Sequence, residues 1–191
     1  VATVVTPPSV CTDRPPPTGI VRQGSMVNNP RFPENNEFAF NSAIDLMSYS
    51  PILGTFPAAG QSAYVFIDTG KYVAMQFSTT GVNNGVFGEV SWEQPATNAG
   101  LLWVMISECP GDFDFVVNAN CKIQSGASAL TWWVGSGAPN WVCPLQQNKT
   151  YYLNAIYAST SNWTDTTCRE SGGGVLPNCH WFITGAGRGN L

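Results

Sequence analysis

Six cysteines constrain what this chain can fold into more than any other feature of its sequence. No two of them are separated by only two residues, the spacing typical of zinc-ligand pairs, and the only histidine is His180. Oxidised cysteines would leave His180 alone as a nitrogen or sulfur ligand for a metal. The sequence therefore predicts a disulfide framework and a secreted, extracellular or cell-surface location. The six residues are Cys11, Cys109, Cys121, Cys143, Cys168 and Cys179.

Proximity along the chain predicts which cysteines pair. Cys109 and Cys121 bracket one short loop, and Cys168 and Cys179 bracket another, so we expect each pair to form a local bridge. Each bridge would stabilise the fold by about 3 kcal/mol by restricting the unfolded chain. Cys11 and Cys143 then remain for a long-range bridge, although an intermolecular bond or another connectivity stays open.

The dominant hydrophobic period is two residues, which indicates β-strands. The runs "AYVFID" (63–68) and "KYVAMQFST" (71–79), joined by Thr69 and Gly70, predict a β-hairpin. No segment has the capped amphipathic pattern of a helix of about ten residues, and the short candidate at 41–50 stops at Pro51. We expect an all-β fold, an antiparallel, jelly-roll-like β-sandwich stabilised by disulfides. Further strands are expected at 86–94, 101–108, 129–134, 150–159 and 180–184, with additions from "VATVV" and "EFAF".

The first 20 residues differ from the rest of the chain. Prolines are dense between residues 6 and 19, and each lacks a backbone N–H, so residues 1–20 predict an extended Pro-rich arm. Residues 21–191 predict a single β-sandwich domain. The apolar start of the arm is a candidate strand for an open sheet edge, in its own chain or in a neighbouring copy. This assembly strand consists of Val1, Ala2, Thr3, Val4 and Val5.

Charge and hydropathy narrow the expected partners. A net charge of −4 with only 8 Lys and Arg offers no basic patch for nucleic acid or an anionic membrane surface. No apolar run approaches the roughly 20 residues that cross a bilayer. We expect no nucleic-acid partner, no membrane-spanning segment and the mature form of a secreted protein.

The sequence offers no convincing catalytic set. His180 would have to serve any Ser-His-Asp arrangement, and no G-x-S-x-G nucleophile motif is present. Glu89 and Glu93 share one face of a predicted strand at a separation of about 13 Å. That exceeds the roughly 5 to 9.5 Å between the carboxyl groups of glycosidases. We predict a non-enzymatic protein without a cofactor.

Three acidic residues crowd into "SECPGDFDFVVNANC" (107–121), although only 10% of the chain is charged. Glu108, Asp112 and Asp114 are candidate calcium ligands, because calcium prefers carboxylate oxygens. The stretch lacks the glycine that follows the acidic pattern in a full calcium loop, and it lacks the terminal glutamate of such a loop. The sequence favours a turn in which Asp112 accepts hydrogen bonds from backbone N–H groups. Phe113 and Phe115 are then available to cover the core or to meet a partner.

Tryptophans give the strongest positive signal after the cysteines. Trp132 and Trp133 are adjacent on a predicted strand, so they point to opposite faces of the sheet. An outward tryptophan could stack on a sugar or anchor a protein interface. The alternative is that one packs in the core and the other lies under a loop. The candidate ligand-binding aromatics are Trp132, Trp133, Trp141 and Trp163.

Four stretches of the chain have distinctive strand and turn patterns: "YVAMQF", "FGEVSWEQ", "ISECPGDF" and "CPLQQNKTYYLNAIYA". These patterns resemble those of poorly characterised secreted bacterial β-sandwich domains. The resemblance covers approximately residues 60–158 and implies an extracellular bacterial setting, but it carries no functional residue.

Two hypotheses of function follow. In the first, the chain is a structural subunit of an extracellular filament or surface assembly, a homo-oligomer or polymer joined through the N-terminal strand. In the second, it is a carbohydrate-binding or adhesive module that presents tryptophan and tyrosine to a glycan, with calcium at the acidic loop.

Overall fold

The computed structural model describes residues 11, 13–23, 25–26, 40–41, 63–93, 101–114, 120–124, 129–158, 165–169, 174–176 and 178–188. The regular structure of these residues is all β, as predicted, and they contain no α-helix. The strands are β1 (Val21–Arg22), β2 (Ser25–Met26), β3 (Phe40–Asn41), β4 (Ala63–Asp68), β5 (Lys71–Ser78), β6 (Phe87–Glu93), β7 (Leu101–Ser107), β8 (Lys122–Gln124), β9 (Ala129–Val134), β10 (Cys143–Leu145), β11 (Thr150–Ala158) and β12 (Asn178–Arg188).

The strands form two five-stranded sheets and a separate two-stranded ladder of β2 and β3. The first sheet has the order β1-β5-β11-β7-β8, and the second has the order β10-β9-β6-β12-β4. Most pairs are antiparallel, but β1 runs parallel to β5 and β10 runs parallel to β9. The sheets are therefore mixed, which the antiparallel prediction missed. Both parallel strands are edge strands of two or three residues, too short to leave a clear period in the sequence.

The predicted hairpin of β4 and β5 is wrong. β4 pairs with β12 in the second sheet, whereas β5 pairs with β11 and β1 in the first sheet. The turn at Thr69 and Gly70, where Gly70 has a φ of 76°, carries the chain from one sheet to the other. The Gly70 backbone N–H donates to Thr166 Oγ1 (3.1 Å), and its carbonyl accepts from the Val21 N–H (3.2 Å). These contacts hold the turn as a corner between sheets.

One cluster of buried side chains draws on both five-stranded sheets. Val73 and Leu153 enter it from the first sheet, and Ile67, Leu130 and Trp132 enter it from the second. Each of these residues lies on the inner face of its strand, so the period of two that predicted the strands also supplied this core. We call this cluster the inner core.

A second buried cluster lies on the opposite face of the first sheet. It contains Tyr152 and Ile156 of β11, and it is joined by Ile20 from the arm and Phe113 from the acidic loop. The Phe113 ring meets the Tyr72 ring edge-on, with 5.9 Å between centroids. Because β11 is buried on both faces, its sequence is almost uniformly apolar. We call this cluster the outer layer, and it confirms that Phe113 covers a core; Phe115 lies outside the described residues.

Three disulfide bonds are present, and two of them differ from the predicted pairs. The local bridge of Cys168 with Cys179 is confirmed. Cys11 bonds to Cys109, and Cys121 bonds to Cys143. The prediction failed because the loop after β7 places its two cysteines against different partners. Cys109 lies against the arm and bonds to Cys11. Cys121 lies opposite Ile106, and the Cys121 carbonyl accepts from the Ile106 N–H (2.8 Å). This position places Cys121 beside Cys143 of β10.

The glycine-rich end of the chain is docked rather than loose as far as Arg188. Residues from Phe182 to Arg188 pair with β6, and Gly187 lies opposite Gly88 in that ladder. Gly88 also lies opposite Trp132 of β9, and a methyl group at Gly88 would overlap the Trp132 ring. The predicted strand "VATVV" and the helix candidate at 41–50, apart from Asn41 of β3, lie outside the described residues. The division into arm and domain stays a prediction.

Candidate functional site

The acidic loop, which we define as residues 108–114 after β7, is held in place by the buried side-chain amide of Asn154. Asn154 of β11 is 0% exposed and lies on the outer face of its strand. Its Oδ1 accepts from the Gly111 N–H (2.7 Å), and its Nδ2 donates to Ser107 Oγ (2.9 Å) and to the Cys109 carbonyl (3.1 Å). Because these bonds satisfy the buried amide fully, they fix the loop against the sheet.

Gly111 allows the loop to approach the sheet and the arm closely. Its φ is 79°, in the left-handed region that favours glycine. A Cβ on Gly111 would lie 2.7 Å from the Tyr72 ring and 3.0 Å from Pro16 of the arm. The absence of a side chain therefore lets loop, arm and β5 meet at one point.

Asp112 serves turn chemistry, as the sequence favoured. Its Oδ1 accepts from the Asp114 N–H (2.9 Å), and its Oδ2 lies 3.3 Å from Arg14 Nη1. The Asp112 side chain is 1% exposed, whereas Arg14 is about one-third exposed at 34%. A buried carboxylate needs such a partner, since removing it from water is costly. Arg14 is thus the residue that ties the arm electrostatically to the loop.

The three acids of the calcium hypothesis do not converge. Glu108 pairs with Lys149 (2.6 Å), Asp112 pairs with Arg14, and Asp114 is exposed. Across the described part of the chain, no three His, Cys, Asp or Glu side chains come together as a metal site. Nothing in the geometry therefore favours calcium at this loop.

Of the other catalytic candidates, only Glu89 has a described side chain. Glu89 is half-buried on β6 and lies opposite Thr131 of β9. The backbones of Glu93 and His180 lie opposite Phe182 and Phe66 respectively. The side chains of Glu93 and His180 are not among those described. The absence of a catalytic set therefore stays a prediction from the sequence.

A cleft opens at one end of the inner core, beside the acidic loop. Its volume is 340 Å³. Ile106 and Leu145 line it from the two sheets, while Arg14, Glu108 and Tyr151 supply polar groups. Arg14 also lines a smaller cleft of 240 Å³ together with Asp13, Pro15, Pro17, Asp112, Phe113 and Asp114.

Tyr151 is the one tyrosine among the residues that line the larger cleft. The Tyr151 hydroxyl oxygen accepts from the Gln146 N–H (2.8 Å). Burial raises the pKa of Tyr151 above its usual value, and the nearby Glu108 carboxylate acts in the same direction, while the Gln146 N–H and the Lys149 ammonium group lower it. At neutral pH the hydroxyl keeps its proton and can donate it to an acceptor.

The adjacent tryptophans point to opposite faces, as predicted. Trp132 is 4% exposed in the inner core. Trp133 is half-buried, stacks on Phe87 at 5.9 Å between centroids, and donates from Nε1 to the Ser136 carbonyl (3.1 Å). Trp141 is 68% exposed. Trp163 lies outside the described residues.

Sequence reasoning missed the residues that organise this region. Asn154 carries a signal in retrospect, because it is the one amide in the apolar run "TYYLNAIYA". Arg14 is the only cation in the proline-rich arm. Neither signal identifies Asp112 or Gly111 as the partner, since the contacts span 98 and 43 residues of sequence.

Comparisons with protein-family models, curated proteins and solved structures find no match to this chain. Among the described residues, no helix is long and apolar enough to cross a membrane. The three disulfides are consistent with an extracellular location. The resemblance to secreted bacterial domains stays a prediction.

Proposed function

We propose that this chain is a non-catalytic, secreted subunit of an extracellular filament or surface assembly, folded as a jelly-roll-like β-sandwich. Residues 1–5 of one copy add as a strand to a sheet edge of the next copy. The observation that carries this proposal is the edge of β5 in the first sheet.

The edge of β5 is only partly paired among the described residues. β11 pairs with residues 72–78 on one side, whereas β1 pairs with Lys71 and Tyr72 alone on the other. The Tyr72 carbonyl accepts from the Gln23 N–H (2.8 Å), and the Ala74 carbonyl accepts from Arg22 Nη2 (3.0 Å). Backbone groups alternate in an antiparallel ladder, so those of Gln76 and Ser78 face the same side. This row of groups is suited to pairing with a further strand.

The side chains of β5 indicate what kind of strand would fit. Val73 and Phe77 belong to the inner core, while Tyr72 and Ala74 belong to the outer layer. A strand beside them must therefore be apolar on both faces. Residues 1–5, "VATVV", have this composition, with Thr3 as the only polar member.

The arm has a fixed base from which this segment could reach a neighbour. Cys11 is bonded to Cys109, and Arg14 pairs with Asp112. The ten residues before Cys11 span at most about 35 Å when extended. Such a reach allows exchange between adjacent copies without loss of the contacts that hold the base.

Deletion of residues 1–5 tests the proposal while keeping Cys11. We expect the full chain to form oligomers or filaments and the deleted chain to stay monomeric, measured by light scattering and electron microscopy. Circular dichroism should show the same β fold in both. A monodisperse full-length monomer at high concentration would contradict the proposal.

Cysteine cross-linking separates exchange between copies from pairing within one chain. A Thr3→Cys chain is mixed with a Gln76→Cys chain, and the disulfide-linked products are analysed by mass spectrometry. A mixed dimer linked through these two positions supports exchange between copies. A double variant that closes the bond only within one chain would overturn it. A Thr3→Cys chain mixed with an Asn83→Cys chain, in an exposed loop outside the strand, is the matched control.

A second candidate function is a carbohydrate-binding or adhesive module. The exposure of Trp141 and the stacked pair of Trp133 and Phe87 favour it, because sugars bind to aromatic faces. A glycan array with the parent, Trp133→Ala and Trp141→Ala proteins tests it. Binding by the parent that is weakened in either variant supports this function, and no binding by the parent contradicts it.

A further inference from the structure

The larger cleft has the size and lining of a small-ligand site. Its 340 Å³ lies at the lower end of the roughly 300 to 1,000 Å³ of known ligand pockets. Ile106 and Leu145 are almost fully buried and form an apolar floor. Polar groups surround this floor on the arm, on the acidic loop and at the end of β10. An apolar floor within a polar rim suits a ligand that has both kinds of surface.

The charges at the cleft are balanced. Arg14 faces Asp112 at 3.3 Å, and Glu108 faces Lys149 at 2.6 Å. Each cation therefore has a carboxylate partner, and the lining offers no uncompensated charge to an ionic ligand. An ionic ligand would have to compete with one of these pairs, whereas a neutral ligand would not.

Hydrogen-bond donors and acceptors are interspersed around the rim. The Tyr151 hydroxyl oxygen accepts from the Gln146 N–H, which leaves its proton to be donated to a ligand. Asn120 donates from Nδ2 to the Asn140 carbonyl (2.8 Å), so its Oδ1 is the part of the amide that can accept from a ligand. Sugar hydroxyl groups donate and accept at once, which matches such a mixed rim.

We propose that this cleft binds one neutral sugar unit, with Tyr151 as a donor, Asn120 as an acceptor, and Ile106 and Leu145 under the apolar face of the ring. This inference rests on the second candidate function and names its site; it is independent of assembly through residues 1–5. Trp141 lies next to the part of the rim formed by Asn120, because Trp141 follows Asn140 in the chain and the Asn140 carbonyl accepts from Asn120 Nδ2. A longer glycan would continue from the cleft onto Trp141.

Nuclear magnetic resonance titration of the full chain tests the site. The probes are neutral monosaccharides (glucose, galactose, mannose and N-acetylglucosamine), their short oligomers, and glucuronate as the charged comparison. We expect shifts of the Gln146, Tyr151 and Asn120 amides with at least one neutral sugar. Glucuronate should bind no more tightly than the matching neutral sugar.

Three variants locate the binding. Tyr151→Phe should weaken binding about five-fold, as expected for one lost hydrogen bond. Tyr157→Phe is the matched control, because Tyr157 is also buried but does not line the cleft, and it should bind like the parent. Asn120→Trp places a large side chain at the exposed rim and should abolish binding. Thermal unfolding of each variant verifies that it is folded.

Each result decides the proposal. Failure of every neutral sugar to shift the cleft amides overturns it. Binding that is lost with Trp133→Ala but unchanged in Tyr151→Phe and Asn120→Trp overturns the cleft while leaving the carbohydrate-binding function intact. Tenfold tighter binding of glucuronate would show that the ligand is anionic, contrary to the proposal. None of these outcomes depends on whether the 1–5 deletion assembles.

Discussion

The two faces of the first sheet are buried in different ways. The inner core is filled mainly by strand side chains from both large sheets, and it also contains the Cys121–Cys143 and Cys168–Cys179 bonds. The outer layer is covered by irregular chain, Ile20 of the arm and Phe113 of the acidic loop. The hydrophobic period of the strands is enough to bring their side chains together in the inner core. The irregular chain of the outer layer needs additional long-range contacts to hold it on the sheet. Local sequence patterns therefore specify most of the inner core, whereas a few contacts between residues far apart in the sequence specify the outer layer.

The long-range contacts that hold the outer layer on the sheet are of three chemical kinds. They consist of the Cys11–Cys109 bond, the Arg14–Asp112 ion pair and the hydrogen bonds of Asn154. The inner core depends on close packing of side chains. We expect the two faces to respond differently when each kind of contact is removed.

The largest effect is expected in the inner core. Phe77 is 1% exposed and stacks with Tyr151 at 5.8 Å between centroids. Phe77→Ala should lower the free energy of unfolding by about 4 kcal/mol, because it removes buried area and leaves a cavity. Urea unfolding followed by tryptophan fluorescence and by circular dichroism should shift equally. A loss below about 1 kcal/mol would contradict this account of the inner core.

Removal of the arm's disulfide should affect the outer layer selectively. The double variant Cys11→Ser and Cys109→Ser should lower the free energy of unfolding by about 3 kcal/mol, a typical value for the loss of one disulfide bond. Hydrogen exchange should rise first at residues 107–114 and 11–23, while β11 stays protected. Uniform exchange across both sheets would show that the two faces do not differ. The matched control is removal of Cys168–Cys179, which closes a loop of only 11 residues.

The buried amide gives a third, smaller effect. Asn154→Leu keeps the number and branching of the side-chain heavy atoms but leaves the Gly111 N–H and the Cys109 carbonyl without the amide. We expect a loss of about 2 kcal/mol, the cost of buried groups left unsatisfied. Proteolysis within residues 108–114 should accelerate. Unchanged stability and an unchanged cleavage rate would show that Asn154 does not hold the outer layer on the sheet.

Alkaline pH should probe both faces through their tyrosines. Burial raises the pKa of Tyr157 in the inner core to about 12, and burial also raises the pKa of Tyr72 in the outer layer. The folded state therefore holds protons that the unfolded state loses above pH 10, so the contribution of these tyrosines to stability is constant below pH 10 and falls as pH rises towards 12. For Tyr157 we expect a loss of at most about 2 kcal/mol, which Tyr157→Phe should remove. Urea unfolding at pH 9 and pH 11.5 measures it.

The sequence predicted the main strands because each carries its own hydrophobic period. β6, β7, β9 and β11 begin and end within about two residues of the expected ranges. β8 and β10 were missed, since three residues are too few to show a period. The period also contains no information about partners, which is why β4 and β5 were assigned to one hairpin.

The candidate site was predictable only in its local part. Pro110 and Gly111 predict the turn at Asp112 and its role as an acceptor from backbone N–H groups, and the structure identifies the Asp114 N–H as a donor. The partnership of Cys11 with Cys109 was not predicted, because the loop turns back onto Asn154 and so separates Cys109 from Cys121. Tertiary contacts of this kind depend on where whole strands lie, and no local pattern records them.

The corner at Gly70 has a consequence for how the chain acquires its structure. The strands on either side of it have partners that come much later, β11 at residues 150–158 and β12 at residues 178–188. The first sheet therefore cannot be complete before residue 158 has been synthesised, and the second cannot be complete before residue 188. Because loop closure over such separations is slow, we expect refolding on the scale of milliseconds to seconds or longer.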